Sequence, residues 1–188
     1  MKRPRSRVIR SGLIGGAVVW LLFYALASMG YAQTTATREH LIKVAFLYNL
    51  AKFVEWRADA FAEPEAPLVI CVSGKAAFAA ARKSIDGKSV KNRRLDVVRL
   101  KQPAKTSGCH IVCISAVAKK NPSGLLQGLA SQNTLSVSDV NGFTRLGGMV
   151  SLVTIENKIR FDVNMGKTRN AGLSISSKLL KLARSVTE

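Results

Sequence analysis

The residues best suited to chemistry in this chain are its three cysteines, Cys71, Cys109 and Cys113. In an oxidising compartment three cysteines can form one intramolecular disulfide and leave one thiol over. Cys109 and Cys113 are four positions apart. In a strand their Cα atoms would lie about 13 Å apart, beyond the roughly 7 Å that a disulfide can span. A bridge must therefore use Cys71, and the spacing leaves both of its possible partners open.

Two histidines, His40 and His110, are the other candidates for metal binding or acid–base chemistry. In a strand His110 would point to the opposite face from Cys109 and Cys113, so this cluster does not favour a metal site. The chain has no G-x-S-x-G and no H-E-x-x-H sequence. Asp139 follows a strand and could be catalytic, but an aspartate at such a junction is more often a turn residue. We therefore predict a protein that is not an enzyme and that uses no metal or cofactor.

A central segment, residues 133–164, contains Asp139, and the rest of the chain must cover it. Thr134–Val137 is short, β-branched and apolar, which is typical of a buried strand, and a polar loop follows it. Residues 149–163 then predict a β-hairpin with its turn at Glu156-Asn157-Lys158. In the second arm, three polar residues alternate with apolar ones, so that one face is buried and the other polar: Arg160, Asp162 and Asn164.

The elements around this segment indicate the fold class. Three further strands are predicted at residues 68–72, 95–98 and 110–115, and helices at residues 38–56, 76–84, 123–130 and 174–185. Alternating strands and helices favour a parallel sheet, and the hairpin adds antiparallel strands. We predict an α/β fold with a mixed, mainly parallel sheet and an antiparallel hairpin, flanked by helices on both faces.

The first and last predicted helices differ in their polar surfaces. The helix at residues 38–56 is apolar around most of its circumference and should be buried on more than one side. Asn49, Lys52 and Trp56 form a narrow stripe on it, which either meets solvent or faces a ligand or partner. The last helix is expected to begin after Ser174 as its N-cap and to carry one apolar face: Ile175, Leu179, Leu182 and Val186.

The N-terminal segment has the pattern of a secretory signal peptide. Residues 1–10 carry five basic and no acidic residues, residues 12–29 are apolar, and Gly30-Tyr31-Ala32 places small residues at the −3 and −1 positions. We predict cleavage after Ala32, with residues 1–32 as signal peptide and residues 33–188 as a single periplasmic domain. The alternative is an uncleaved anchor, because the apolar run approaches membrane-spanning length.

Charge narrows the class of partner. The chain carries 29 basic and 11 acidic residues, a net charge of +18; cleavage would remove five basic residues and leave +13. In a cytosolic protein this charge would suggest nucleic acid. In an exported protein it indicates an acidic partner surface, anionic lipid headgroups or simply a basic proteome, and we predict no nucleic-acid binding.

Four segments, in order and at compatible spacing, resemble the YfiR family of small periplasmic proteins. They are residues 43–56 (KVAFLYNLAKFVEW), 67–74 with 108–115 (PLVICVSG and GCHIVCIS), 135–164 (LSVSDVNGFTRLGGMVSL…NKIRFDVN) and 171–183 (AGLSISSKLLKLA). The resemblance covers nearly the whole chain after residue 32.

This resemblance implies a function, a partner and a disulfide. It implies an exported regulator that represses an inner-membrane diguanylate cyclase through the cyclase's periplasmic domain, which lowers cyclic-di-GMP and biofilm formation. It also implies a homodimer and a Cys71–Cys109 disulfide, structural or redox-sensing, with Cys113 as a buried, inert thiol. The alternative is a periplasmic solute-binding module with its pocket in the loop at residues 139–148, at the ends of the strands.

Two groups of site residues follow from these expectations. The first is a partner surface on the polar face of the hairpin near the edge of the sheet: Arg160, Asp162 and Asn164. The second is the polar loop, whose pattern matches that of the family: Asp139, Phe143, Gly147 and Gly148. An exposed Phe143 would serve binding, whereas a buried one would serve stability only.

Overall fold

A computed structural model describes residues 38–100, 106–115, 126 and 133–188. The predicted signal peptide lies outside these residues, and so does the helix expected at 123–130, apart from Leu126. Leu126 is helical and buried.

The described chain alternates short strands and helices. The strands are β1 (Val54–Glu55), β2 (Leu68–Val72), β3 (Ser89–Val90), β4 (Arg93–Arg99), β5 (Ile111–Ile114), β6 (Leu135–Ser138), β7 (Val150–Ile155), β8 (Lys158–Asn164), β9 (Ser174–Ile175) and β10 (Ser185–Thr187). The helices are α1 (residues 38–53), α2 (Lys75–Ile85), α3 (Met165–Asn170) and α4 (Ser177–Leu180), with a 3₁₀ turn at Ala58–Ala60.

Eight of these strands form one sheet in the order β10-β8-β7-β6-β5-β2-β4-β3. Neighbours from β4 across to β7 are parallel, as are β8 and β10. The pairs β7–β8 and β3–β4 are antiparallel. The prediction of a mixed, mainly parallel sheet with an antiparallel hairpin is therefore confirmed.

Apolar residues cover both faces of the sheet, because neighbouring positions of a strand point to opposite sides. In β2, Leu68, Ile70 and Val72 join the larger core cluster beneath α1 and α2. Cys71 joins a second cluster on the other face, which also contains Phe143 and the helical residue Leu126. Helices α1 and α2 thus lie against one face, and the helical residue Leu126 lies against the other, in agreement with the prediction.

The hairpin turn lies where the sequence predicted it. Glu156 and Asn157 both have positive φ, at 49° and 58°, which is the requirement of a type I′ turn between antiparallel strands. Asn157 tolerates this conformation better than most residues. The turn therefore sets the β7–β8 register from Ile155↔Lys158 onward.

The first helix is shorter than predicted, because α1 ends at residue 53 and not at Trp56. Val54 and Glu55 form β1, which pairs antiparallel with β9. The Phe53 carbonyl accepts a hydrogen bond from the Ser176 N–H at 2.9 Å. Backbone groups that would have continued the helix are instead hydrogen-bonded to the distant segment around β9. Trp56 is therefore not part of a helical stripe.

The prediction of a long last helix was wrong. Only Ser177–Leu180 is helical, and its N-cap is Ser176, whose Oγ accepts from the Lys178 N–H at 3.3 Å. Ser174 instead lies in β9, and Ser185–Thr187 pairs with β8 as β10. Val186 and Thr187 are β-branched residues that favour strands. The backbone groups offered by β8 outweigh the helical spacing of the apolar residues.

Candidate functional site

A disulfide joins Cys71 in β2 to Cys109, which lies two residues before β5. Because β2 and β5 are neighbours in the sheet, the two Cα atoms lie 5.8 Å apart, within the normal range for a disulfide. Both cysteines are buried. The bridge closes a loop of 38 residues, which corresponds to about 4 kcal/mol in the chain-entropy description. This is the pairing that the family resemblance implied.

Cys113 is a free, part-buried cysteine on β5. Burial raises the pKa of its thiol to about 12, and the nearby Asp139 carboxylate acts in the same direction. Since only the thiolate is nucleophilic, the thiol is unreactive near neutral pH. These properties agree with the inert role expected for Cys113.

A small cavity lies at the carboxyl ends of the parallel strands, where open α/β sheets usually bind ligands. Its volume is about 30 Å³, and its lining includes Cys113, Ser115 and Leu152, which leaves room for little more than one water molecule. Asp139 reaches this cavity, where its Oδ2 lies 2.7 Å from Lys43 Nζ on α1. Asp139 therefore links the loop to the first helix, and the cavity does not fit a small solute.

The rest of the loop is packed against the sheet. The Phe143 side chain is 0% exposed and lies in the second core cluster. A Cβ atom at Gly148 would lie only 2.2 Å from the Phe143 ring, so the ring needs a glycine there. Gly147 has φ +97°, a conformation that favours glycine. The two glycines therefore allow the loop to pack. Because Phe143 is buried, its side chain serves stability and not binding.

We expected Asp162 to lie on an accessible edge of the sheet, but the structure buries it. It is 9% exposed, and its Oδ1 accepts a hydrogen bond from Arg184 Nε at 2.7 Å. Its other oxygen pairs with Arg184 Nη2. Strand β10 covers β8 at this point, with Ser185 opposite Asp162. The expected exposure was wrong because the last segment is a strand and carries the arginine partner.

Asn164 has a structural role at the end of the same strand. Its Oδ1 accepts from the Lys167 N–H at 2.9 Å and caps α3, while its Nδ2 donates to the Thr144 carbonyl at 3.3 Å. Arg160, by contrast, is exposed. Of the three hairpin residues, Arg160 is exposed, Asn164 is part-buried and Asp162 is buried.

Arg160 and Asn49 meet in a groove between α1, β8 and the last turn of the chain, which we call the β8 groove. Its volume is about 320 Å³. The rest of its lining is apolar: Phe46, Phe53, Ile159, Phe161, Leu179 and Leu182. Leu182 is 69% exposed. Sequence reasoning missed the groove because the predicted last helix buried Leu182 on its apolar face.

The other two residues of the predicted stripe lie elsewhere. Lys52 is exposed, with its ammonium 5.5 Å from the centre of the Tyr48 ring. Trp56 approaches the His110 ring edge-on at 6.4 Å. The structure therefore does not bring Asn49, Lys52 and Trp56 together as one surface.

His110 is a buried structural residue that anchors the loop before β2. Its Nδ1 accepts from the Val69 N–H at 3.0 Å, so Nε2 carries the proton and donates to the Ala60 carbonyl at 3.1 Å. Its ring stacks on Phe61 at 4.4 Å. The pKa of His110 is lowered, mainly because burial disfavours the charged imidazolium. The hydrogen bond to the Ala60 carbonyl opposes this shift, and the charge of Arg93 adds to it. The imidazole is therefore neutral near pH 7.

Neither a metal centre nor a membrane-spanning helix occurs within the described ranges. No group of three or more His, Cys, Asp or Glu side chains there is arranged to hold a metal ion. No helix there combines the length and apolar character needed to cross a bilayer.

These features define a small α/β domain that has a buried disulfide between Cys71 and Cys109 and, among the residues the structure describes, an apolar groove at one side of the sheet. The chain belongs to the YfiR/HmsC-like family, whose model matches residues 40–184. Comparison with curated proteins gives no match.

Among solved structures, the chain is similar to a conserved domain protein from Vibrio cholerae O1 biovar El Tor. The sequence identity is 12% and the TM-score 0.44. The alignment covers 63% of this chain and 54% of that chain, so the match spans about half the length of the Vibrio protein.

Proposed function

We propose that this protein is an exported regulator that represses an inner-membrane diguanylate cyclase by binding the cyclase's periplasmic domain. The observation that carries the proposal is the family match over residues 40–184. Repression would lower cyclic-di-GMP and, with it, biofilm formation. We propose a binding role without enzymatic activity, and no cofactor or metal.

Repression by binding requires that the regulator prefer one conformation of the cyclase. A ligand shifts an equilibrium only by the difference between its affinities for the two states. Moving the cyclase from 1% to 99% inactive would take a preference of about 10⁴-fold for the inactive form. The contact must therefore recognise a feature that differs between the two conformations of the periplasmic domain.

We place the partner contact at the β8 groove, where Arg160 and Asn49 accompany apolar side chains. Asp162 and Asn164 would then act indirectly, by holding β10 and α3 in place. The solute-binding alternative has less support, because the cavity of about 30 Å³ near Asp139 is too small for a solute. Export through a cleaved signal peptide, a single domain at residues 33–188 and a homodimer remain parts of the proposal.

A pull-down from envelope extract with the mature chain as bait tests the partner. Mass spectrometry should find an enriched membrane protein that carries a diguanylate cyclase domain. Deleting the gene should raise cellular cyclic-di-GMP, and re-expression should lower it. Unchanged cyclic-di-GMP in both strains would contradict the proposed function.

A further inference from the structure

The outer edge of β8 is only half covered among the described residues. Strand β8 runs over Lys158–Asn164, but β10 pairs only with Asp162, Val163 and Asn164. The Asn164 N–H bonds to Met149, so even-numbered residues of β8 direct their backbone groups toward β7, and odd-numbered ones direct them outward.

This alternation identifies the backbone groups at the open part of the edge. The Phe161 carbonyl points outward and accepts from the Arg184 N–H at 2.8 Å. The backbone N–H and carbonyl of Ile159, two residues earlier, also point outward, and β10 does not extend far enough to pair with them. Unpaired strand edges readily pair with another chain, and proteins usually cover or shorten them. Here the Lys158–Arg160 stretch can accept one more short strand.

The β8 groove lies beside this open stretch. It is lined by three consecutive residues of β8, Ile159 to Phe161. Because their side chains alternate between the two faces, a groove that touches all three reaches the edge of the strand. The groove has a volume of about 320 Å³ and apolar walls, so it can take an apolar side chain from a strand added at the edge.

The segments around the groove are cationic. Their exposed basic residues are Lys52, Lys158, Arg160, Lys178, Lys181 and Arg184, the last of which pairs with Asp162. The exposed acids on or next to these segments are Glu55, Glu156 and Glu188. Glu55 is paired with Lys91 and Glu188 with Arg169, while Asp162 is buried and paired with Arg184. A second copy of this chain would place Lys158 and Arg160 against their own counterparts. Charge therefore favours an acidic occupant over self-association.

We propose that the open edge of β8 and the β8 groove together form a docking site for an extended acidic segment of a partner polypeptide, which adds to the sheet as a short strand. Alternate side chains of the segment enter the groove, and the intervening ones face Arg160. The segment therefore has apolar residues alternating with Asp or Glu. Backbone hydrogen bonds supply affinity, and the alternate side chains supply specificity. The identity of the partner rests on the proposed function, whereas the chemistry of the segment does not.

A synthetic peptide of alternating valine and glutamate is the probe, with a valine–lysine peptide as its control. Added to ¹⁵N-labelled mature protein, the acidic peptide should shift the amide resonances of Ile159 and Phe161, and the basic peptide should not. Shifts confined to other regions would overturn the proposal. So would shifts of the same amides caused by raising the protein concentration alone, because a second copy would then occupy the edge.

Variants separate the backbone contribution from that of the side chains. Ile159→Pro removes an outward N–H and the isoleucine side chain, but no hydrogen-bonding group of the β7 ladder. Ile159→Ala is its control, because it loses the side chain but keeps the donor. Arg160→Glu should weaken acidic-peptide binding about tenfold, whereas Lys83→Glu on α2 should not. Equal binding by the two Ile159 variants, with matched melting temperatures, would exclude strand addition.

The same variants distinguish this proposal from the proposed function. Peptide binding decides whether β8 accepts a strand, and cyclic-di-GMP in the deletion strain decides whether the protein regulates a cyclase. A protein that regulates the cyclase but does not bind the peptide would disprove only the docking site. A protein that binds the peptide without any effect on cyclic-di-GMP would disprove only the function.

Discussion

Replacing Gly148 with alanine tests whether the loop at residues 139–148 is a packed cover of the sheet. The added Cβ would lie 2.2, 2.3 and 2.6 Å from three atoms of the Phe143 ring. Phe143 is 0% exposed, so the ring cannot move into solvent without leaving its cluster. Overpacking of this kind costs about 1–3 kcal/mol, and more when the neighbours cannot shift. We expect Gly148→Ala to lower the free energy of unfolding by about 3 kcal/mol.

A double-mutant cycle isolates the contact between the two residues. Phe143→Ala alone should cost about 3–5 kcal/mol, because it leaves a cavity. In that background the Gly148→Ala methyl group enters vacated space, so the double variant should be more stable than the sum of the single effects predicts by about 2 kcal/mol. Urea denaturation followed by circular dichroism, with the disulfide intact, measures all four free energies.

Gly147→Ala is the matched control for this cycle. Its Cβ would meet only Lys167 Cε, at 3.8 Å, while the φ of +97° makes the substitution strained. The cost should therefore be a backbone effect of about 1 kcal/mol that adds to that of Phe143→Ala. If Gly148→Ala were equally additive with Phe143→Ala, the reasoning about ring packing would be refuted.

Four further predictions concern the charges, the thiol, the histidine and the N-terminus. Asp162→Ala should lower the free energy of unfolding by about 1–3 kcal/mol, because it removes the buried carboxylate that accepts hydrogen bonds from Arg184 and holds β10. Arg169→Ala, at an exposed ion pair, should cost below about 1 kcal/mol in the same urea titration. Iodoacetamide at pH 7 should leave Cys113 unmodified in folded protein, since its thiol pKa is raised to about 12; rapid labelling seen by peptide mapping would contradict this. The pKa of His110 is lowered in the folded state, so the unfolded chain binds the proton more readily and stability falls as the pH drops below about 6.5; in urea titrations at pH 7.5 and 5.5, His110→Gln should lose less stability than the parent protein. Intact-mass measurement of periplasmic protein should show a chain that begins at Gln33, and a product that keeps residues 1–32 would argue against cleavage.

The features that the sequence predicted well depend on near neighbours in the chain. The continuous apolar run Leu68–Val72 forms β2 as predicted. The Glu156-Asn157 turn forms because its residues and the flanking alternation favour a tight hairpin. Both signals come from residues only a few positions apart, so local conformational preference is enough to specify them.

The last segment shows where such signals fail. Leu179 and Leu182 have helical spacing, yet only four residues there are helical. The backbone of β8 and the carboxylate of Asp162 hold Arg184 and the strand after it. Neither partner lies close in sequence, so the pattern of the segment could not reveal them. The pairing of β10 with β8 also buries the Asp162 carboxylate, which the alternation of polar and apolar residues in β8 had predicted to be exposed.

The sequence by itself determined the α/β class, the hairpin and the rule that any disulfide must include Cys71. Those results follow from periodicity and from the fixed length of a strand, which act along the chain. Only the tertiary structure decided that Phe143 is a core residue and that Arg160 and Asn49 share one groove. The physical reason is that burial and the lining of a groove depend on which segments pack together, and that choice is made by the whole core.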